Sequence, residues 1–267
     1  MKTSRRKIEE ILWVAGLHSQ GRALYKVLGG SAKAKAHEAM LAFYRTLVPA
    51  NSLVFDIGAN VGILSDIFAT LGARVVALEP NTDCVRHIHL SYPTPKLEVI
   101  QAVAGPKNGL AKLNLSDQRD DISSLSNEWI DAIQQQHAEY KGLWSRQLTV
   151  PMLTLDTLIE HYGVPYFIKI DVEGFEESVL EGLSLQPQLL SFEFNLAYLD
   201  AALRCLDKKF LSSDSTFNYA MGDPSSFELK EWVSKDQLKG CLSAMEKRDR
   251  HGDIFVRPSL MDSTATL

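Results

Sequence analysis

Cysteine is scarce: three in 267 residues, Cys84, Cys205 and Cys241, odd in number, far apart and in no CxxC pair. That spacing excludes a disulfide framework and a thiolate zinc site, and a reducing compartment, the cytoplasm, fits best. No uninterrupted apolar run approaches the roughly 18 to 20 residues that cross a bilayer, so no stable membrane insertion is expected. Positive charge is not in excess either. With 28 Lys and Arg against 33 Asp and Glu the net charge is −5, which disfavours a large phosphate-tracking surface and a nucleic-acid partner. Internal repeats and low-complexity tracts are missing. What remains, 45% hydrophobic and 23% charged residues with 16 Gly and 10 Pro, is a globular composition. At this length one large α/β domain buries roughly 70 to 75% of the surface of its unfolded chain without disulfides or metal.

The opening residues MKTSRRKIEEILWVAGL have the basic start of a signal peptide, but Glu9 and Glu10 interrupt it and no clean cleavage site follows. They read as an amphipathic helix, with membrane-surface contact through Arg5, Arg6 and Lys7 as the alternative. Ile8, Ile11, Leu12 and Ala15 recur at helical spacing, Gly29 and Gly30 break the pattern, and Ala39 to Leu47 resumes it. Residues 1–48 are therefore expected as a helical extension or cap, with room for a homo-oligomer through these helices. From residue 49 to 258 strands and helices alternate. SLVFDIG at 52–58, RVVALEP from 74, LEVIQAVA at 97–104, YFIKID at 166–171 and LLSFEFN at 189–195 read as buried parallel strands. TFNYAM and GDIFVRP near the end read as an antiparallel pair. The pattern predicts a mostly parallel, doubly wound sheet with helices on both faces. Residues 105–149 form a passage longer than an ordinary connection, expected as an insertion on the substrate side, and 259–267 form a tail.

The first strand runs into VFDIGANVG. Gly58 and Gly62 let the backbone turn against a ligand, and the amides opening the next helix carry the positive end of its dipole. The loop lacks the middle glycine of GxGxxG, which weakens a nicotinamide or flavin reading. Asp56 beside the loop would be repelled by two phosphates and attracted by an amino group. Together these favour S-adenosylmethionine. Glu79 ends the second strand, where it can accept both ribose hydroxyls.

VFDIGANVGILS, VVALEPN, AVAGPKNG, SSL at 123–125, LTLDTLIEHYGVPYFIKIDVEGFEESVLEGL and LLSFEFN, in this order, closely resemble the FkbM family of S-adenosylmethionine-dependent methyltransferases. KIDVEGFE is the most specific part. The resemblance runs from about residue 50 to GDIFVR. It implies a class I methyltransferase (Rossmann-like) fold, three-layer αβα, with a seven-stranded sheet ordered 3-2-1-4-5-7-6. It implies methyl transfer usually to oxygen, often on a sugar or glycan or a polyketide-type natural product. It carries Asp56, Gly58, Asn60 and Gly62 onto the methionine-side loop, Glu79 onto the ribose, and Pro80 with Asn81 onto the adjoining wall. Gln101, Ala102 and Val103 would meet the adenine.

The fourth strand carries the chemistry by position, since a ligand lies across the carboxyl ends that flank the switch point. Asp171 faces the transferable methyl group, and period-2 alternation puts Lys169, Asp171 and Glu173 on one side, with Glu193 and Asn195 sharing a side of the fifth strand. Asp171, Glu173 and Glu193 are thus the candidate catalytic carboxylates. Repulsion among them raises at least one pKa and yields a general base. The competing reading is structural: Lys169 neutralises one acid in a buried pair, and Glu173 only favours a helix N-terminus. Magnesium held by Asp171, Glu193 and Asn195 is a variant that hard oxygen ligands suit, though nothing in the spacing demands it. Trp129, Tyr140 and Trp144 either stack on a sugar ring or pack the excursion onto the sheet. His87 and His89 face different ways and make a poor metal pair. Three rival functions stand beside this one: a nicotinamide-dependent dehydrogenase, a cofactor-binding subunit without catalysis that docks through residues 1–47, and methylation of protein or RNA. The acidic balance and the absence of an Asn-Pro-Pro-Tyr motif count against the last.

Overall fold

The computed structural model describes residues 31–116, 122–245 and 251–258. The expected amphipathic helix around Ile8 and the tail 259–267 lie outside the described residues. In chain order the strands are β1 (Leu53–Ile57), β2 (Arg74–Leu78), β3 (Leu97–Ile100), β4 (Val103–Ala104), β5 (Gly109–Ser116), β6 (Trp144–Leu153), β7 (Phe167–Ile170), β8 (Leu189–Asn195), β9 (Thr216–Met221) and β10 (His251–Arg257). The helices are α1 (Ser31–Arg45), α2 (Ile63–Thr70), α3 (Thr82–Ser91), α4 (Asn127–Gln136), α5 (Leu155–Tyr162), α6 (Glu176–Glu181), α7 (Leu199–Cys205) and α8 (Lys235–Ser243).

Seven strands form one sheet in the order β3-β2-β1-β7-β8-β10-β9. Counted within the sheet this is 3-2-1-4-5-7-6, the order that the resemblance implies. All neighbours from β3 to β8 are parallel, while β10 runs antiparallel to both β8 and β9. Alternation sends Phe55, Ile57, Ile168 and Ile170 to one face, where they meet Leu155 and Leu158 of α5, Val179 and Leu180 of α6, and Leu238 and Leu242 of α8. Val54, Val75, Phe167 and Phe255 go to the other face, under Phe43 and Tyr44 of α1 and Ile67 and Phe68 of α2. Apolar surface on both sides of the sheet is why the strands are nearly uniform in hydrophobicity, and the result is the three-layer αβα sandwich.

Helix α1 lies within the span expected as an extension, and it packs directly on the sheet. The Phe43 ring meets Phe255 at 5.7 Å and Phe227 at 5.0 Å, and Tyr44 stands edge-on to Phe68 at 5.0 Å. Helix α2 ends as its sequence suggests, with Gly72 N–H donating to Ala69 O and Ala73 N–H to Phe68 O, the paired bonds of a Schellman turn.

One expected strand divides. Leu97–Ala104 reads as continuous, but β3 stops at Ile100, Ala102 N–H donates back to Ile100 O at 3.0 Å, and the chain turns away. Val103–Ala104 then joins a second, three-stranded sheet ordered β4-β6-β5. Residues 105–149 supply β5, α4 and the first part of β6. Two helices are short: α6 starts at Glu176, two residues after Gly174, and α7 is confined to Leu199–Cys205.

Because Phe43 is only 6% exposed and sits among aromatic rings, Phe43→Ala should cost about 3–5 kcal/mol in urea denaturation. A loss under about 1 kcal/mol would show that α1 is dispensable to this face.

Candidate active site

The end of β1 lies against the end of β7. Gly58 adopts a left-handed turn (φ 84°), and a Cβ placed on it would sit 1.8 Å from the Asp171 carbonyl oxygen, so no side chain fits there. Asp171 N–H in turn donates to Ile57 O at 2.9 Å. Gly58 and Ala59 N–H both donate to Leu78 O, joining the loop to β2. Asn60 then takes φ 49° and its N–H donates to Glu79 Oε2 at 2.8 Å, while Asn81 N–H donates to Oε1 at 2.8 Å. The 6%-exposed Glu79 is thereby pinned at the strand end by two backbone groups.

Above this loop is a cavity of about 510 Å3. Its lining includes Gly58, Asn60, Glu79, Pro80 and Ala102, and also Asp171, Glu173, Glu193 and Asn195. Leu113, Ser123, Leu125 and Trp129 close it from the excursion, and Met40 reaches it from α1. Four expected ligand residues stand off this lining. Asp56 lies beneath, accepting a hydrogen bond from Ser65 Oγ of α2. Gly62 opens α2, backed by Ile88 and Tyr92. Asn81 caps α3 by accepting from Asp83 N–H, and Gln101 Nε2 donates to Thr82 Oγ1 at 2.7 Å on the outside.

At the base of the cavity, where Lys169, Asp171 and Asp253 line it, is a buried charge cluster. Lys169, 2% exposed, places Nζ 2.7 Å from Asp171 Oδ2 and 3.4 Å from Asp253 Oδ1. Burial pushes the Lys169 pKa down, but Asp171 and Asp253 more than reverse this and hold it above the ordinary lysine value. Asp253 is raised by burial despite Lys169, and burial lifts Asp56 to about 6 against the Ser65 hydrogen bond. The register explains the assembly: Asp56 pairs with Lys169 across β1 and β7, and Glu193 with Asp253 across β8 and β10.

Ligand atoms of Asp171, Glu173 and Glu193 all lie within 4.8 Å of one another. Burial, then the nearby charges of Asp171 and Glu173, push the Glu193 pKa well up. The same three oxygen donors suit a shared proton or a hard divalent cation. Asn195, from the other expected metal set, instead turns its Oδ1 to accept Ala197 N–H at 2.8 Å.

The FkbM methyltransferase domain model matches residues 56–217, more than half of the chain. The chain belongs to the FkbM methyltransferase family. Its methyl donor is S-adenosylmethionine, and the residues present fit that donor: Glu79, held by Asn60 and Asn81 N–H, is a fixed carboxylate in the cavity lining where a ribose diol would find an acceptor. None of the curated proteins compared with the chain matches it. Similar solved structures include a precorrin-6y C5,15-methyltransferase from Geobacter metallireducens GS-15 (13% identity, 84% of this chain and 87% of that one, TM-score 0.40). An O-methyltransferase from Bacillus cereus in complex with SAH (12%, 84% and 80%, 0.41) and an rRNA methylase from Streptococcus thermophilus (10%, 84% and 94%, 0.40) are also similar. Likeness at this level carries nothing about the acceptor.

In this methyltransferase the aromatics of the excursion pack as well as line. Trp129, 4% exposed, covers Gly174 so closely that a Cβ there would meet its atoms at 2.3–2.5 Å. Trp129 also meets Trp144 edge-on at 6.0 Å, and Trp144 Nε1 donates to Ile122 O at 2.7 Å. Tyr140 and His137 complete that wall.

Sequence reasoning missed Asp253, Tyr44, Ser65 and Glu176. Only Glu176 had a local signal: with Val179 and Leu180 it makes an i, i+3, i+4 inward face. Its Oε1 accepts Val172 and Gly174 N–H at 3.1 and 3.2 Å, so Glu176, and not Glu173, caps the turn. Burial lifts Glu176 from 4.5 to about 7 against those hydrogen bonds. An acid whose folded pKa exceeds its unfolded value contributes stability that is full below the unfolded pKa and lost as pH rises through the folded one. Stability of the free protein should therefore fall between about pH 4.5 and pH 7, with Glu176 supplying on the order of 3 kcal/mol. Glu176→Gln keeps an oxygen for both N–H groups and should flatten that slope in urea titrations across pH; an unchanged slope refutes the assignment.

Proposed function

We propose that this methyltransferase transfers a methyl group to a hydroxyl oxygen of a small-molecule or glycan acceptor, a sugar or a polyketide-type natural product, in the cytoplasm. The observation that carries this is the group of three carboxylates, Asp171, Glu173 and Glu193, gathered in the lining of the cavity. An alkyl hydroxyl must lose a proton as it is methylated, and a carboxylate group sharing charge is suited to receive it. The family and the net charge of −5 also favour this over RNA.

S-adenosylmethionine supplies an electrophilic methyl group and leaves as the thioether. Gly58 gives the backbone room to lie beside it, Glu79 holds the ribose, and Ala102 walls the base. Lys169 occupies one oxygen of Asp171, and Glu173 and Glu193 are the carboxylates assigned to take the acceptor proton as its oxygen forms the new C–O bond and the C–S bond breaks. Holding acceptor and donor in line supplies roughly 7 to 11 kcal/mol, against roughly 10²- to 10⁴-fold from a general base. Positioning dominates.

Two measurements test the reading. S-adenosylhomocysteine at about 100 times its Kd should stabilise the protein by about 2.7 kcal/mol while NAD does nothing; the reverse result would restore the dehydrogenase reading. Against a panel of hydroxylated acceptors, Glu173→Gln and Glu193→Gln should each lower kcat by roughly 10²-fold or more with S-adenosylhomocysteine affinity kept. Full turnover in Glu173→Gln, Glu193→Gln and Asp171→Asn alike would remove carboxylate base catalysis.

A further inference from the structure

Three buried polar atoms on the α1 side of the sheet have no hydrogen-bond partner among the described residues: the Tyr44 hydroxyl, Ser191 Oγ and Asp253 Oδ1. Their residues are 0%, 0% and 7% exposed. A buried polar group is costly to leave unpaired, and several that share one neighbourhood point to a bound molecule that serves them together.

The register brings them together around Lys169. Ser191 pairs with Lys169 across β7 and β8 and with Phe255 across β8 and β10. Asp253 lies two residues before Phe255 and so on the same face of β10, with its Oδ1 3.4 Å from Lys169 Nζ. Tyr44 comes down on this face from α1. Its ring meets that of Phe167, two residues before Lys169, at 6.3 Å, and its hydroxyl is close enough to feel the charges of Asp253 and Lys169. Lys169 itself has three N–H groups to place and donates one to Asp171 Oδ2 at 2.7 Å.

The chemistry of these groups selects the occupant. Tyr44 and Ser191 can donate or accept, ionised Asp253 only accepts, and Lys169 only donates. Lys169 repels a cation, and Asp171 with Asp253 repels an anion. A small neutral molecule that both donates and accepts satisfies all of them, which is the usual place of a buried water. Lys169, Asp253 and Met40 line the cavity, and Met40 is one helical turn before Tyr44 on the same face of α1, so the cavity reaches the edge of this cluster.

We infer that an internal water molecule is bound between Tyr44, Ser191 and Asp253 and joins helix α1 to the charge cluster that holds Asp171. The contact of α1 with the sheet is then polar as well as aromatic, independently of which acceptor the cavity takes.

Tyr44→Phe keeps the ring and Ser191→Ala keeps the strand, each removing one hydroxyl. On the full chain each substitution should lower the melting temperature by about 2–4 °C. The double variant should lose less than the sum of the two, because both hydroxyls bind the same molecule. A crystal structure of the wild-type protein should show an ordered water within hydrogen-bond distance of all three atoms. Level or raised melting temperatures in both single variants would mean dry, unpaired hydroxyls and overturn the inference. A loss confined to one of the two variants overturns it as well, since the hydroxyls then do not share a partner, and so do losses that add in full. Should either variant fail to fold, the wild-type crystal decides alone: no water peak among the three atoms ends the inference.

Discussion

A lysine with 2% of its surface exposed cannot hold its charge in a protein interior unless acids stand beside it, and the acids are equally dependent on the lysine. Lys169 has Asp171 at 2.7 Å and Asp253 at 3.4 Å. Those two acids come from opposite parts of the chain: Asp171 follows the fourth strand of the sheet, whereas Asp253 is on the last strand, inserted antiparallel between β8 and β9. Charge balance under the cavity is thus complete only when the final strand is in place. Helix α1 closes the cluster from the far side, with the buried Tyr44 ring wedged against Phe68 and Phe167. Burial, followed by the charge of Asp253, drives the Tyr44 pKa well up, so its hydroxyl stays neutral and adds no further charge.

On this floor stands a tight elbow. After Asp171 the chain makes a turn in which Glu173 takes φ 54°, a conformation that costs a side-chain-bearing residue free energy unless its surroundings hold it. Three separate contacts do so: Glu176 Oε1 accepts the N–H groups of Val172 and Gly174, Ser124 Oγ donates to Glu173 O, and Trp129 presses on Gly174. Two of the three come from the excursion. Its position over the cavity is therefore coupled to the direction in which Glu173 points, and folding of the small sheet helps to bring the third carboxylate to the other two.

What the sequence made legible follows from how each feature is encoded. The strand order and the Gly58 turn are local: apolar runs ending at glycine, then an acid at the end of the next strand. Glu79 and the three carboxylates were legible because strand ends at the switch point converge whatever the loops do. Asp253 was hidden because pairing across antiparallel strands 60 residues apart leaves no mark of register in one sequence. Tyr44 was hidden because an aromatic on an amphipathic helix reads as core, which it also is. The break after Ile100 was hidden because LEVIQAVA is uniformly fit for a strand; only tertiary pairing of Val103 and Ala104 with β6 ends it early. Asp56 is the instructive case. Its charge was read as a ligand contact, and the structure spends its hydrogen bond on Ser65 instead, inside the same electrostatic cluster as Lys169.

The cavity lining is built on two principles. At the Glu79 end, contact is made by backbone: a glycine turn, two N–H groups that fix one carboxylate, and a chain reversal at Ala102. Backbone geometry needs particular residue types at particular spacings, so a donor site of this kind leaves a motif. Elsewhere the lining is side chains contributed by α1, the excursion, β8 and β10. Backbone fixed by the Gly58 turn and the elbow after Asp171 is written in short contiguous runs, DIGANVG and KIDVEGFE, whereas the side-chain lining is dispersed across segments far apart in the chain.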